Sequence, residues 1–388
     1  MASVVESYIL LGLRLGRHVE GLVDSYCGPP ELSRQAESEQ LVPAAALVEQ
    51  GEALLADLED GWLRDQALGL RTYAGVLAGE EISYSDEVER CYGVRPRRVD
   101  TAVYEEVHRR LEELLPGSGD LAARYDAWRQ ANLVPADKVV PVVTELLAEL
   151  RARTALLVEL PDGETLGVEG VRGEPWWAFN YYLGGLRSRV VLNLDVPTIC
   201  DDVVELAAHE VYPGHHTEHA VKEQRLIRDQ GRLEESIQMV PTPAALVSEG
   251  IAETGPEIVV DAGLEERFAE IMRGHGLAYD YGESRAVREA RRPLRRIGLD
   301  AALMIHEDGA SVEQAEAHLR RWALSTPEQA AHSVSFVVDP TWRAYVINYS
   351  AGHELCHAWV GGNRTRFTRL LTEHVRVGEL LTAVSSSS

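Results

Sequence analysis

The segment HEVYPGHH, His209 to His216, carries the residue types of a metal hydrolase in a broken arrangement. Such an enzyme needs three protein ligands, an open position for water and a base beside that water. In H-E-x-x-H the two histidines lie one turn apart on one helix face, and the glutamate reaches the water. Here Pro213 stands where the second histidine belongs, and His215 and His216 follow. On a straight helix His209 would lie about 10.5 Å along the axis from His216 and about 9 Å from His215. Neither pair could share an ion. Pro213, however, forbids a straight helix, because it has no N–H and its ring clashes with the carbonyl of His209. Gly214 permits a sharp backbone excursion. The Pro-Gly pair therefore predicts a bulge that returns a later histidine to His209. The bland alternative is a helix corner whose histidines are satisfied locally.

The flanking segments supply further parts. RSRVVLNL reads as a strand over Arg189 to Leu194, expected as an antiparallel edge strand on which extended substrate can pair. LVSEGIAETGPE reads as a helix with Glu249 and Glu253 four apart on one face. One carboxylate is a candidate third ligand, and the other a candidate partner for a ligand histidine. Arg187 and Arg189 flank the strand. One of them could hold a substrate carboxylate, although edge charges ordinarily serve to prevent aggregation. Asn193, on the same strand, is a further substrate contact to consider. PWWAFNYY (175–182) is aromatic-rich and reads as core ahead of cleft wall.

An intact H-E-x-x-H also occurs, as HELCH, His353 to His357. Its third ligand would have to be Glu373 or His374, and SVSFVV upstream reads as a possible strand. A chain with thirteen histidines matches this pattern by accident often enough to weaken it. Tyr345, Tyr349, His353 and His357 are each four apart, forming a stripe on one helix. That stripe suits a cleft wall opposite the metal. Tyr349 is the candidate donor to a developing oxyanion, and Tyr345 and His353 are candidate substrate contacts. His215 and His219 are also four apart and could bind metal without His209. MIHEDG (304–309) reads as a helix end.

HEVYPGHH followed by a Glu-Gly helix resembles the bacterial domain-of-unknown-function 885 family, whose signature runs H-E-x-x-P-G-H-H and then E-G-W-A. The likeness runs from about Arg187 to the end, with echoes in VDSYCGPPEL near the start. Ile251 replaces the tryptophan, Thr217 and Glu218 depart from the usual H-H-L-Q, and YSAG (349–352) is similar to a C-terminal Y-x-x-G. The resemblance implies a zincin-like fold with His209 and one of His215 and His216 as ligands. It further implies Glu249 as third ligand and Glu210 as general base. His215 is preferred to His216 because it needs the shorter bulge.

These parts must be positioned by a largely helical chain. Apolar residues recur at helical spacing through most of residues 1–158. Texture changes over about 159–197, where glycines cluster and the strand appears. The expected fold is mainly α with a small antiparallel sheet, in a zincin-like helical architecture with a cleft. Three regions are expected in one unit: 1–158 helical, 159–260 the zincin-like core, and 261–384 helical and closing the cleft. Residues 385–388 are expected as a disordered tail. The net charge of −24 argues against nucleic-acid partners and anionic membrane surfaces. RPRR (95–98) and RAVREARRPLRR (285–296) are basic runs that read as helix faces paired with nearby acids. Four scattered cysteines read as reduced thiols of a cytoplasmic protein, and the apolar N-terminus as an amphipathic helix.

The expectation is a zinc-dependent hydrolase acting on a small peptide or amide. Zinc follows from nitrogen-rich ligands, with manganese or iron also compatible with a carboxylate-containing site. The alternatives are a non-catalytic metal- or ligand-binding protein of zincin fold, an amidohydrolase of small non-peptide amides, and a purely structural helical protein.

Overall fold

The first helix, Val4–Gly16, begins at a capping box: Ser3 and Glu6 exchange hydrogen bonds of 2.7 and 3.1 Å. Its apolar face, including Ile9, Leu11 and Leu15, is buried against Leu47, Leu70 and Ile237 in an N-terminal core. The computed structural model describes residues 3–174 and 176–386, and they are mainly helical. The helical texture read over 1–158 is interrupted once, by strand β1 (Val23–Tyr26).

Four more strands follow: β2 (Thr165–Val171), β3 (Ala178–Tyr182), β4 (Arg187–Asn193) and β5 (Ile237–Met239). β1 and β5 form an antiparallel pair that ties the N-terminal helices to the middle of the chain. The other three form a mixed sheet in the order β2-β4-β3. This departs from the expected antiparallel edge strand in two ways. RSRVVLN lies at the centre of its sheet, and one of its two pairings is parallel. The edge is β3, from the aromatic run 175–182, of which Pro175 lies outside the described residues. The burial pattern of β4 accounts for its place: Ser188, Val190, Val191, Leu192 and Asn193 are all buried, as a central strand requires.

Val190 and Leu192 pack into a second core with helices Ala136–Ala155 and Cys200–Glu210. A third core unites the C-terminal helices with the helix Pro243–Val259. SVSFVV belongs to the helix Pro327–Val338 and not to a strand; Thr326 and Gln329 cap that helix reciprocally. MIHEDG ends a helix at His306, as read. Ser385 and Ser386 continue the last helix, Val377–Ser386, while 387 and 388 lie outside the described residues. No helix among the described residues is long and apolar enough to cross a membrane. All four cysteines are free thiols. The basic runs pair with acids: Arg95 with Asp86 and Glu89, Arg98 with Asp308, and Arg288 with Asp201 and Glu205.

One buried polar cluster joins the sheet to the segment that follows the Cys200–Glu210 helix. Glu164 accepts hydrogen bonds from Tyr212 (2.8 Å), Arg151 (2.7 Å) and His216 (2.8 Å), and the other ring nitrogen of His216 meets Ser188 on β4 at 2.8 Å. Burial alone would raise the Glu164 carboxyl, but these three donors outweigh it and hold the group down to about 2. A carboxyl held below its ordinary 4.5 stabilises the fold fully above that pH and loses the contribution as pH falls from about 4.5 to about 2. Glu164→Gln should therefore cost about 3 kcal/mol at neutral pH. Thermal unfolding should show the gap from wild type closing across that acidic window. A gap of constant size from pH 7 to pH 2 would contradict this account.

Candidate metal centre

The helix Cys200–Glu210 stops where the sequence says it must. Val211 leaves helical geometry at φ −127°, and a second helix, His215–Lys222, starts after Gly214. At Gly214 the constraint is space, since its φ of −76° is ordinary. A Cβ there would lie 1.7 Å from the carbonyl oxygen of His209 and 2.6 Å from that of Ala208. The chain can fold back onto the preceding helix only because this residue has no side chain. Pro213 packs beneath Gly255, where a Cβ would come within 2.6 Å of its ring. That contact anchors the elbow to the Pro243–Val259 helix.

The elbow brings His215 to His209, with their Nε2 atoms 3.2 Å apart. Glu249 joins them, its Oε2 3.5 Å from His209 Nε2 and its Oε1 3.9 Å from His215 Nε2. These three residues form one group whose ligand atoms all lie within 4.8 Å of one another. His216, the alternative to His215, points the other way into the Glu164 cluster and is fully buried there. His219 stacks beside His215 without joining the group.

Each nitrogen is prepared by a neighbour. Ser248 donates its hydroxyl to Glu218 Oε2 at 2.6 Å, so it accepts from His215 Nδ1–H at 3.1 Å. The Nε2 lone pair of His215 is thereby left facing His209. Glu218 is in turn held by the buried Lys222 at 2.6 Å. His209 Nδ1 faces Glu253 Oε1 at 3.6 Å, and Glu253 is ion-paired with Arg295. Burial pushes His209 down to about 4, with the charge of Arg295 adding to it. Burial likewise pushes His215 well below the ordinary range, aided by His209. Both rings are neutral at pH 7, as metal ligands must be.

The two Nε2 atoms stand at hydrogen-bond distance, and both would offer lone pairs to a cation placed between them. Tyr345 donates to Glu249 Oε1 at 2.7 Å, while the buried Oε2 has no hydrogen-bond partner among the described residues. Such an orphan is costly unless something charged completes it. A four-coordinate zinc with metal–nitrogen bonds of about 2.0–2.1 Å holds its ligand atoms about 3.3 Å apart. The donor set therefore fits a zinc ion.

Around this group lies a cavity of about 680 Å³. Glu210 and Tyr349 line it, and neither side chain has a hydrogen-bond partner among the described residues. Burial raises Glu210 to about 8, with the charges of Asp24 and Glu253 adding to it. Burial, with Glu249 and Glu210, also raises Tyr349, which stays a protonated donor. Trp176, Trp177 and Phe179 line it too, so this part of the aromatic run is cleft wall where core was expected, while Tyr182 is buried as core. Asn193 N–H donates to Trp177 O and Leu183 N–H to Arg187 O, so the odd-numbered residues of β3 face β4. The N–H and C=O groups of Ala178 and Asn180 are left on the open edge, and both residues line the cavity.

Several expected contacts lie elsewhere. Arg189 stands over Tyr181 and reaches Glu169 at 3.5 Å, outside the cavity. Asn193 holds a turn through Glu174 O and Trp176 O. Tyr345 lines the cavity but is committed to Glu249. The 345–360 stripe is not one face, because its winding passes from a 3-10 turn through a π-helix (Asn348–Gly352) to the α-helix His353–Val360. The tyrosines face the cavity, whereas His353 and His357 turn to Glu257, at 3.2 and 2.6 Å. Those three residues form a second possible metal group, but Arg292 already neutralises Glu257 at 2.7 Å. The third ligands expected for HELCH are engaged otherwise: Glu373 by Arg369, and His374 by Glu235 and the face of Trp62.

Sequence reasoning missed Asp24, Asn180 and the arginine wall of Arg288, Arg291, Arg292 and Arg295. Asn180 donates to the Glu210 carbonyl at 2.5 Å. The arginines were legible as a basic run, though nothing in their spacing showed that they face this helix. The Glu-Gly pair did carry a signal. A Cβ on Gly250 would lie 2.4 Å from the Gly352 carbonyl, so this glycine admits the tyrosine-bearing segment against Glu249.

No family model matches the chain, and no curated protein matches it. Among solved structures it is similar in fold to a "putative lipoprotein from Colwellia psychrerythraea", with 13% identity and a TM-score of 0.53. That match covers 92% of this chain and 65% of the other, so the chain spans just under two thirds of its relative's length. A "putative lipoprotein of unknown function from Shewanella oneidensis" matches at 13% identity and a TM-score of 0.49, over 91% of this chain and 76% of that one.

Two outcomes test the centre. His209→Ala should purify without stoichiometric zinc while His353→Ala retains it, measured side by side by elemental analysis; the reverse pattern would move the site to HELCH. Ser248→Ala should weaken zinc affinity about ten- to hundredfold in a chelator competition, because it frees the His215 tautomer. Unchanged affinity would remove the relay from the account.

Proposed function

We propose that the protein is a zinc-dependent hydrolase of amide bonds in peptides, with a zincin-like arrangement of strand, His-Glu helix and glutamate helix. The observation that carries this reading is the pair of neutral imidazole nitrogens 3.2 Å apart, facing an unpartnered buried carboxylate oxygen. His209, His215 and Glu249 would hold the ion. A zinc ion in such a set supplies an activated water and polarises a carbonyl oxygen.

Glu210 is the group that moves the proton. It lies beside His209 on the cavity wall, and its raised carboxyl is suited to exchanging a proton near neutral pH. Tyr349 donates to the carbonyl oxygen of the bond under attack. Tyr345 orients Glu249, and Glu253 orients His209. The open edge of β3 supports a peptide substrate, because the free N–H and C=O groups of Ala178 and Asn180 can pair with an extended backbone. The aromatic side chains of Trp176, Trp177 and Phe179 give substrate side chains apolar surfaces. The motif's resemblance to the domain-of-unknown-function 885 signature supports the same ligands. Four free thiols, three of them buried, support a reducing, cytoplasmic location.

Glu210→Gln should retain a full equivalent of zinc and lose about 10²–10⁴-fold in kcat on a peptide library. Undiminished turnover in that variant would refute the mechanism. Zinc retention by a wild-type protein that cleaves no peptide would favour a binding role or a small-amide substrate.

A further inference from the structure

The proposed chemistry leaves several carboxyl groups of the cleft unused: Asp24, Asp201, Asp202 and Glu205. Asp24 lies on β1, where Val23 pairs with Met239 and Ser25 with the adjacent Gln238. Asp24 is thus the extra residue of a β-bulge, a device that re-aims a side chain out of the regular ladder. It lines the same cavity as His209, Glu210 and Glu249. The carboxylates Asp201, Glu205 and Glu253 on that cavity wall are matched by Arg288 and Arg295. Asp202 accepts from the backbone N–H of Ile199, whereas the Asp24 carboxyl has no ion-pair or hydrogen-bond partner among the described residues and only the charge of His219 nearby to offset its burial.

Its position relative to the open strand edge gives it a direction. β1 packs beside β3. Cys27, just past the end of β1, abuts the β3–β4 turn, where a Cβ on Gly184 would lie 2.7 Å from Cys27 Cβ. The Tyr26 end of β1 therefore stands at the Tyr182 end of β3. A peptide added antiparallel to β3 runs with its amino end toward Tyr182. Its first residue thus arrives on the β1 side of the cavity, which Asp24 lines.

We propose that Asp24 receives the free α-ammonium group of the substrate, so that the enzyme cleaves peptides near their amino terminus. This rests on the peptidase reading above. The carboxylate pairs with a cation that only a substrate with an unblocked amino end supplies. A peptide with an acetylated amino end would leave Asp24 unpaired and desolvated, which selects against it.

The test uses zinc-loaded full-length protein and matched short peptides with free or acetylated amino ends. Wild type should favour the free amine by roughly ten- to hundredfold in kcat/KM. Asp24→Asn should bring the ratio toward one, chiefly by raising KM for the free-amine peptide, and Asp24→Glu should restore part of it. Equal rates on both peptides in wild type, or a parallel loss on both in Asp24→Asn, would overturn the assignment. If no peptide is cleaved, the peptidase reading fails, and calorimetry with a free-amine dipeptide and its acetylated counterpart then decides on Asp24. Tighter binding of the free amine, lost in Asp24→Asn, sustains the ammonium site; equal binding overturns it.

Discussion

The contact between Gly214 and the carbonyl of His209 is the constraint on which the site depends. A helix interrupted by proline ordinarily leads its chain away. Here the chain turns back so tightly that no side chain fits at the turning point. Two histidines six positions apart then meet, and their nitrogens are poised for a cation between them. The same turn sends His216 into the opposite cluster with Glu164 and Ser188, so the elbow is gripped from the sheet side. Pro213 against Gly255 grips it from the other.

A single helix organises the remaining charges. Glu249, Glu253 and Glu257 lie four apart on Pro243–Val259, and each meets a different environment. The first completes the histidine pair, the second stands between His209 and Arg295, and the third is shared by His353, His357 and Arg292. One stripe of carboxylates thereby yields a ligand, an orienting group and a surface ion-pair network. The difference is made by partners: cations neutralise the second and third carboxylates, whereas the first keeps a bare oxygen.

Much of this was readable in the sequence. Backbone chemistry at Pro213 and Gly214 foretold the broken helix, and periodicity placed Glu249 and Glu253 on one face. The helical class followed from the same periodicity. Strand order was not readable, because a short apolar run looks alike at the edge and at the centre of a sheet. The central place of β4 is set by β2, whose glycine-rich sequence carries little pattern. The stripe from Tyr345 to His357 misled because its spacing assumes an α-helix, and a π-turn at Asn348–Gly352 rotates the later residues away. Asp24 escaped notice because a bulge is a property of two paired strands, and its partner strand is remote in sequence.

The pairing of β1 with β5 has a consequence for how the molecule divides its tasks. The candidate ligands His209, His215 and Glu249 come from one continuous stretch of the chain, 209–249. The wall bearing Asp24 comes from the amino-terminal region and depends on a contact whose closure costs loop entropy before it returns any stability. The candidate ligand group and the wall that faces it are therefore drawn from distant parts of the chain and meet only in the folded molecule.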